Sequence, residues 1–229
     1  MGSVREIRDK NELARALGDL RAAVYQGLPG WHEPPEFLEL DRFDLKHEPF
    51  WENHEGVTFA FEENGRATAR VTAFCAKAGS ELGRFGLFDS VDDPEPARAV
   101  LGAAAAWLAA RGCRRMEGPY FFSMHEEVGL LTDGFDTPSS IYMPYNPPHY
   151  GALLEHAGLS VSRSFRAFRY DLDTCYDAAV AGGRDRPGVT VRGFDLAREK
   201  EESESLLEVY NSAFADNWGF APLTPRQGR

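Results

Sequence analysis

A mixed α/β sheet covered by helices on both faces is the fold class this sequence predicts, and three observations carry it. Strand-like and helix-like periodicities alternate along the chain, a tight hairpin falls in its first half, and its strand-then-helix opening recurs near residue 190. The order read is β-α-α-β-β-β-α-β-α-β.

Taken in turn, Val4 to Ile7 alternate as a short strand, and Asn11 is placed to cap a helix carrying Leu13, Leu17, Leu20 and Val24 at helical spacing. The Gly- and Pro-rich stretch from Gly27 to Pro35 ends it, and Phe37 to Leu45 predicts a second, short helix. Val57, Phe59 and Phe61 alternate with Thr58, Ala60 and Glu62. Asn64-Gly65 then supplies the positive φ of a tight turn, and Ala67 to Ala76 returns as the partner strand. Arg84 to Val91 is a further strand. Asp92-Asp93-Pro94 opens a helix running to Arg111, with an Asp cap, a Pro in the first turn and Gly112 at its end. Arg115 to Tyr120 predicts a short strand, Phe121 to Ser140 an irregular segment, Pro147 to His156 a helix and Val161 to Leu172 a long last strand. Ala181 to Gly188 has linker composition, so the chain divides into a domain over 1–180, a linker over 181–188, and the beginning of a second, truncated domain over 189–229. In that last part Val189 to Val191 and Arg198 to Ala213 repeat the opening strand and helix. Residues after Gly188 are expected to be loosely held unless they pack on the first domain, because short segments are marginal alone.

Composition narrows the function. The 229 residues carry 36 acidic and 25 basic side chains, a net charge of −11. Such a surface repels phosphate backbones and anionic headgroups, so neither nucleic acid nor membrane is an expected partner. The three cysteines and six histidines have no ligand spacing, so no metal is expected, and reduced thiols in the cytoplasm are the reading for the cysteines. The apolar run from Val100 to Ala110 is too short to span a bilayer.

Four motifs carry a resemblance: Phe85-Gly-Leu-Phe-Asp, Gly118-Pro-Tyr-Phe-Phe-Ser-Met-His-Glu-Glu-Val-Gly-Leu-Leu, Gly134-Phe-Asp-Thr-Pro and Met143-Pro-Tyr-Asn-Pro-Pro-His-Tyr. With them the chain resembles a bacterial family of tandem proteins similar to the GCN5-related N-acetyltransferases (GNAT), and Asn217-Trp-Gly-Phe-Ala-Pro-Leu-Thr looks like its second half. The resemblance implies a GNAT-like N-acyltransferase fold, an acyl-CoA such as acetyl-CoA as cosubstrate, and a small-molecule amine or amino acid as acceptor. It also implies a glycine-rich loop before the central helix to hold pyrophosphate on backbone N–H groups. Here that loop is Ser90-Val-Asp-Asp-Pro-Glu-Pro, with no glycine, two prolines and three carboxylates. The tyrosine that such enzymes use as general acid is replaced by Leu154. A ligand-binding or scaffold domain without catalysis is therefore the alternative.

The segment from Gly118 to Tyr150 is the candidate site, being long, polar and aromatic. Glu126 or Glu127 is the candidate base, and Tyr150, one helical turn from the missing tyrosine, the candidate acid. Ser123, His125, Tyr142, Tyr145 and Asn146 are the candidate substrate-binding residues. The structural alternatives are a loop salt bridge for Glu126, a turn cap for Ser123, packing on Phe122 for His125, core packing for the tyrosine rings, and a helix cap for Asn146. Unburied aromatics such as Trp218 and Phe220 make a homo-oligomer a further expectation.

Overall fold

The computed structural model describes residues 1–43, 48–124, 126–138, 140, 143–169, 171, 188, 190, 192–220 and 222–224. They fall into two compact units, Met1–Ser160 with Asn217–Ala221, and Val161–Asp216 with Pro222–Arg229.

The first unit is built on five strands in the order β1-β2-β3-β4-β5: β1 (Ser3–Ile7), β2 (His54–Glu63), β3 (Arg66–Ala76), β4 (Leu82–Ser90) and β5 (Arg115–Glu117). The first four pair antiparallel and β5 joins β4 in parallel, so the sheet is mixed, as the sequence predicts. The β2–β3 hairpin turns at Asn64 (φ 52°) and Gly65 (φ 77°), the residues whose positive φ the turn requires.

Helices lie on both faces. Cross-strand partners share a face, so Arg70 and Asp89, Thr72 and Gly86, and Phe74 and Arg84 point one way, while Ala73 and Phe85 point the other. Leu17, Leu20 and Arg21 line a cavity with Arg70 on the first side. These residues belong to α1 (Lys10–Leu20) and to the π turn (Arg21–Tyr25) that continues it. On the second side Leu108 of α3 (Pro94–Ala109) presses on Gly83. Ala97, Val100, Leu101 and Ala104 are buried along the same helix with Val71, Ala73 and Phe85. A second, aromatic core joins Phe50, Trp51, Phe74, Tyr120, Phe121 and Phe122, with Trp218 packed against it.

The elements differ from expectation in traceable ways. Asp9, not Asn11, caps α1, because its carboxylate reaches the N–H groups of Asn11 and Glu12. The second helix, α2 (Glu36–Asp41), is six residues long and ends before Leu45. The helix expected from Pro147 starts later, as α4 (Tyr150–His156), because Pro147 and Pro148 stay in a turn. Val161 to Arg169, expected to begin a long last strand, form no strand and are exposed at every residue. Their alternation is interrupted at Phe168, which follows Ala167 and breaks the two-residue period a strand face needs. The linker, the domain boundary beside it, and Val189 and Val191 lie outside the described residues, apart from Gly188.

Val161–Asp216, the second unit's main stretch, contains a 3-10 turn (Leu196–Arg198) and α5 (Glu199–Ala213), close to the expected helix. Arg192 and Arg198 both bond Glu202, and Asn211 bonds Leu223 through its amide oxygen and nitrogen at 2.9 and 3.0 Å. Trp218 makes an edge contact with Tyr120 at 6.0 Å, and Tyr120 donates to the Gly219 carbonyl at 2.7 Å. Trp218 and Phe220, expected to lack a burying surface, are both half-buried. No helix of the described residues is long and apolar enough to cross a membrane.

One irregularity of the sheet positions the site. Arg70 pairs with Asp89 but Thr72 pairs with Gly86, so two residues of β4, Leu87 and Phe88, oppose the single Val71. Leu87 takes φ 47°, which marks a β-bulge. The chain after β5 leaves the edge of β4 here, holding on through Tyr120 N–H to the Phe85 carbonyl at 2.7 Å. Gly86 lets the two backbones approach: a Cβ there would lie 2.6 Å from the Tyr120 oxygen. Gly86→Ala should therefore push β4 and residue 120 apart and cost about 1–3 kcal/mol, read as a lower urea midpoint at unchanged slope.

Candidate functional site

Beyond the bulge, no strand among the described residues neighbours β4 on its β5 side, and a cavity of about 240 Å³ lies there. Its walls come from α1 and the π turn, from the loop carrying Trp31 and Pro34, from Leu87 to Asp89, and from the irregular segment between Pro119 and Asn146. Leu87, Phe88, Leu130 and Met143 make part of the wall apolar. Arg21, Glu39, Arg70, Asp89 and Glu127 add charge.

At its base three buried polar side chains, Arg70, Asp89 and Tyr150, converge with the half-buried Tyr25. Arg70 Nε and the Tyr25 hydroxyl each donate a short bond to Asp89, to Oδ2 and Oδ1 respectively. The Tyr150 hydroxyl donates to the same Oδ1 at 3.2 Å and accepts the Ser90 N–H at 3.1 Å. Arg70 is 4% exposed and Tyr150 1%. Burial pulls the Arg70 guanidinium down, but the charges of Asp89 and then Glu39 more than offset it, so it stays charged. Burial first, and the Asp89 charge second, push both phenols well above their ordinary value, so they remain neutral donors. Arg70 Nη1 is buried and has no hydrogen-bond partner among the described residues.

The residues expected from the sequence are distributed unevenly around this base. Tyr150 is in the cluster. Glu127 lines the cavity and pairs with Arg42 Nη1 at 3.2 Å, while Glu126 binds Arg42 Nη2 at 3.3 Å and is not in the cavity wall. Burial raises the Glu126 carboxyl, with Arg42 opposing it. Tyr145 lines the cavity, but its hydroxyl ties two loops together, donating to the Phe135 carbonyl at 2.8 Å and accepting the Gly30 N–H at 3.2 Å. Asn146 lines it too, 4% exposed, with its amide oxygen on Leu131 N–H and its amide nitrogen on the Leu131 and Pro147 carbonyls. It does not cap α4, whose cap residue is His149. Ser123 is outside the wall and accepts the Glu126 N–H through its carbonyl. His125 and Tyr142 lie outside the described residues.

Sequence reasoning missed Tyr25, Arg70 and Asp89. One signal was present: Arg70 is a charge set between Ala69 and Val71 in the interior of a largely apolar strand, and Asp89 closes the Phe85-Gly-Leu-Phe-Asp motif.

The turn from β4 to α3 does not form an anion cradle. The N–H groups of Ser90, Val91, Asp93 and Glu95 bond to Tyr150, Thr68, Val91 and the Asp93 carboxylate, and Pro94 and Pro96 have none. Asp93 caps the helix with its own charge. The residues present do not fit a coenzyme pyrophosphate at this turn.

Two predictions follow from the cluster. Asp89→Asn leaves Arg70 buried without its counter-charge and should cost about 3–5 kcal/mol in urea unfolding. Because Tyr25 and Tyr150 have raised values in the fold, the stability they confer is whole below the ordinary phenol value of 10.0 and is lost as pH rises above it. Urea midpoints measured from pH 8 to 11 should fall, and Tyr25→Phe/Tyr150→Phe should flatten the fall.

No family model matches the chain. The chain is similar to Protein YghO of Escherichia coli (strain K12), at 32% identity over 234 residues covering 99% of this chain and 60% of that protein. It is similar to Bacterial ceramide synthase of Caulobacter vibrioides (strain NA1000 / CB15N), at 32% over 237 residues covering 99% and 61%. The chain thus spans about 60% of the length of these curated relatives. Among solved structures it is similar to glucosamine-6-phosphate N-acetyltransferase from Arabidopsis thaliana, at 12% identity and TM-score 0.42 over 75% of this chain and 99% of that one. It is also similar to AAC(6')-Iy in complex with a CoA-S-monomethyl-acetylneamine bisubstrate analogue, at 12% identity and TM-score 0.41 over 75% and 99%.

Proposed function

We propose that this chain carries GNAT-like N-acyltransferase chemistry, moving an acyl group from a thioester, acyl-CoA being the donor to test, onto the amine of a long-chain amino alcohol. The observation that carries it is the 32% identity to a bacterial ceramide synthase across 99% of the chain. Ceramide is an amino alcohol acylated on nitrogen, so the acceptor is an amine with a hydrocarbon tail. A cavity with an apolar wall and a polar base suits such a molecule. The tandem division, with a first domain over 1–180 and a second starting at 189, is part of the same reading.

In the proposed reaction the amine nitrogen attacks the thioester carbonyl, the C–N bond forms and the C–S bond breaks. Glu127, on the cavity wall, takes the proton that nitrogen loses, directly or through water. In this reading Tyr150, kept protonated by burial and by Asp89, returns a proton to the departing thiolate. Arg42 holds the Glu127 carboxylate, and Tyr145 and Asn146 hold the wall.

A binding domain without turnover is the second reading, and the self-capped turn at Asp93 favours it. The two separate in one assay: the purified chain with a long-chain acyl-CoA and a long-chain amino alcohol, followed by free thiol and by amide mass. We expect amide formation, with Glu127→Gln lowering kcat about 10²-fold and leaving KM nearly unchanged. Tight binding of the amine with no amide and no thiol would reject the transferase reading in favour of the binding one.

A further inference from the structure

We infer that this chain recognises its acyl donor by the acyl-thioester end alone, so that an acyl-pantetheine serves it as well as an acyl-CoA. This rests on the thioester-donor reading proposed above and adds which part of the donor the chain reads.

A strand that runs into a helix is ordinarily an anion site, because unclaimed N–H groups and the positive helix end point the same way. At the turn from β4 to α3 the chain uses those groups itself. Ser90 N–H goes to the Tyr150 hydroxyl at 3.1 Å, Val91 N–H to the Thr68 carbonyl at 2.9 Å, Asp93 N–H to the Val91 carbonyl at 2.7 Å and Glu95 N–H to the Asp93 carboxylate at 2.9 Å. Pro94 and Pro96 have no N–H to give. Within residues 90–96 only Asp92 keeps an N–H with no acceptor among the described residues, and it does so in a stretch where Asp92, Asp93 and Glu95 are all exposed. Three carboxylates there oppose any phosphate that one donor could attract.

The cavity wall offers phosphate no better place. Its two arginines are committed, Arg21 to Glu33 and Glu39 at 2.9 and 3.2 Å and Arg70 to Asp89, while Glu127 adds a further carboxylate. A phosphate monoester brings a charge of about −1.5 to −2 at neutral pH and meets repulsion here. The acyl chain and the pantetheine arm carry no charge, and Leu87, Phe88, Leu130 and Met143 give the chain an apolar surface. Nor does the reaction need the nucleotide. The amine nitrogen bonds the thioester carbon, the C–S bond breaks with its electron pair on sulfur, and pantetheine leaves as a thiol, the proton gained at sulfur balancing the one lost from nitrogen.

The test titrates the full chain calorimetrically with octanoyl-CoA and with S-octanoyl-pantetheine, and follows amide formation from each with the same long-chain amino alcohol. The two dissociation constants, and the two values of kcat/KM, should agree within about threefold, since no remote binding energy is drawn from the nucleotide. A preference of about tenfold or more for octanoyl-CoA, the effect of even one charge-assisted bond to phosphate, overturns the inference and leaves the transferase reading intact. In Asp92→Asn/Asp93→Asn/Glu95→Gln, which keeps an Asn cap on α3 and removes three charges, octanoyl-CoA should bind more tightly and S-octanoyl-pantetheine should not. Equal responses of the two thioesters overturn the role of the turn, and the wild-type comparison stands whether or not this variant folds. Equal binding of both with no amide formed rejects the transferase reading and upholds the inference, whereas binding of neither overturns both.

Discussion

Arg70 and Asp89 face each other across β3 and β4 with almost no access to water, and neither can be buried without the other. Their meeting depends on register. Without the bulge at Leu87 and Phe88, a residue one step removed would oppose Arg70, and a one-residue slip turns side chains to the other face. The bulge thus places a carboxylate opposite the guanidinium, beyond the last β4–β5 pair at Arg84 and Glu117, and both groups line the cavity. Tyr25 reaches the carboxylate because α1 passes into a π turn over Arg21–Tyr25, and Tyr150 reaches it from the first residue of α4. Three elements, the π turn, β3 and α4, are tied to one carboxylate of β4.

The long segment between β5 and α4 has few backbone pairings of its own, so side chains do the holding. Asn146 acts as a surrogate strand neighbour for Leu131, offering both an acceptor and a donor to its backbone. Tyr145 spans from Gly30 to Phe135, and Gly30 sits so close to that ring that a Cβ there would lie 2.5 Å from it. Phe121 and Phe122 anchor the segment's start in the aromatic core with Phe50, at 4.0 Å between their own rings and 4.5 Å from Phe122 to Phe50. A wall built this way is polar inside itself, and its apolar residues, Leu130 and Met143, are left for the cavity.

This division explains what the sequence made legible. The β2–β3 hairpin and the start of α3 are local: Asn64-Gly65 and Asp93-Pro94 act on their own backbone, and both elements appear where those residues put them. Asn146 looked like a helix cap because its neighbours are prolines, yet a partner fifteen residues earlier claims its amide. Glu126 and Glu127 looked equivalent in sequence, but only Glu127 reaches the cavity wall. The Arg70–Asp89 pair was the least legible, since the strand order and the bulge must both be known before an arginine in the interior of a largely apolar strand has an identified partner.

The turn from β4 to α3 shows the same economy from the other side. A strand that passes into a helix ordinarily presents free N–H groups and a positive helix end, yet here Ser90, Val91, Asp93 and Glu95 give theirs to the chain itself. One of those acceptors is the Tyr150 hydroxyl, whose proton in turn goes to Asp89. The phenol therefore links the closed turn to the polar floor of the cavity, and opening the turn to an anion would disturb the Asp89 cluster as well. What the fold leaves to the cavity is the apolar wall and a few polar atoms, while Arg70 Nη1 stays buried without a partner among the described residues.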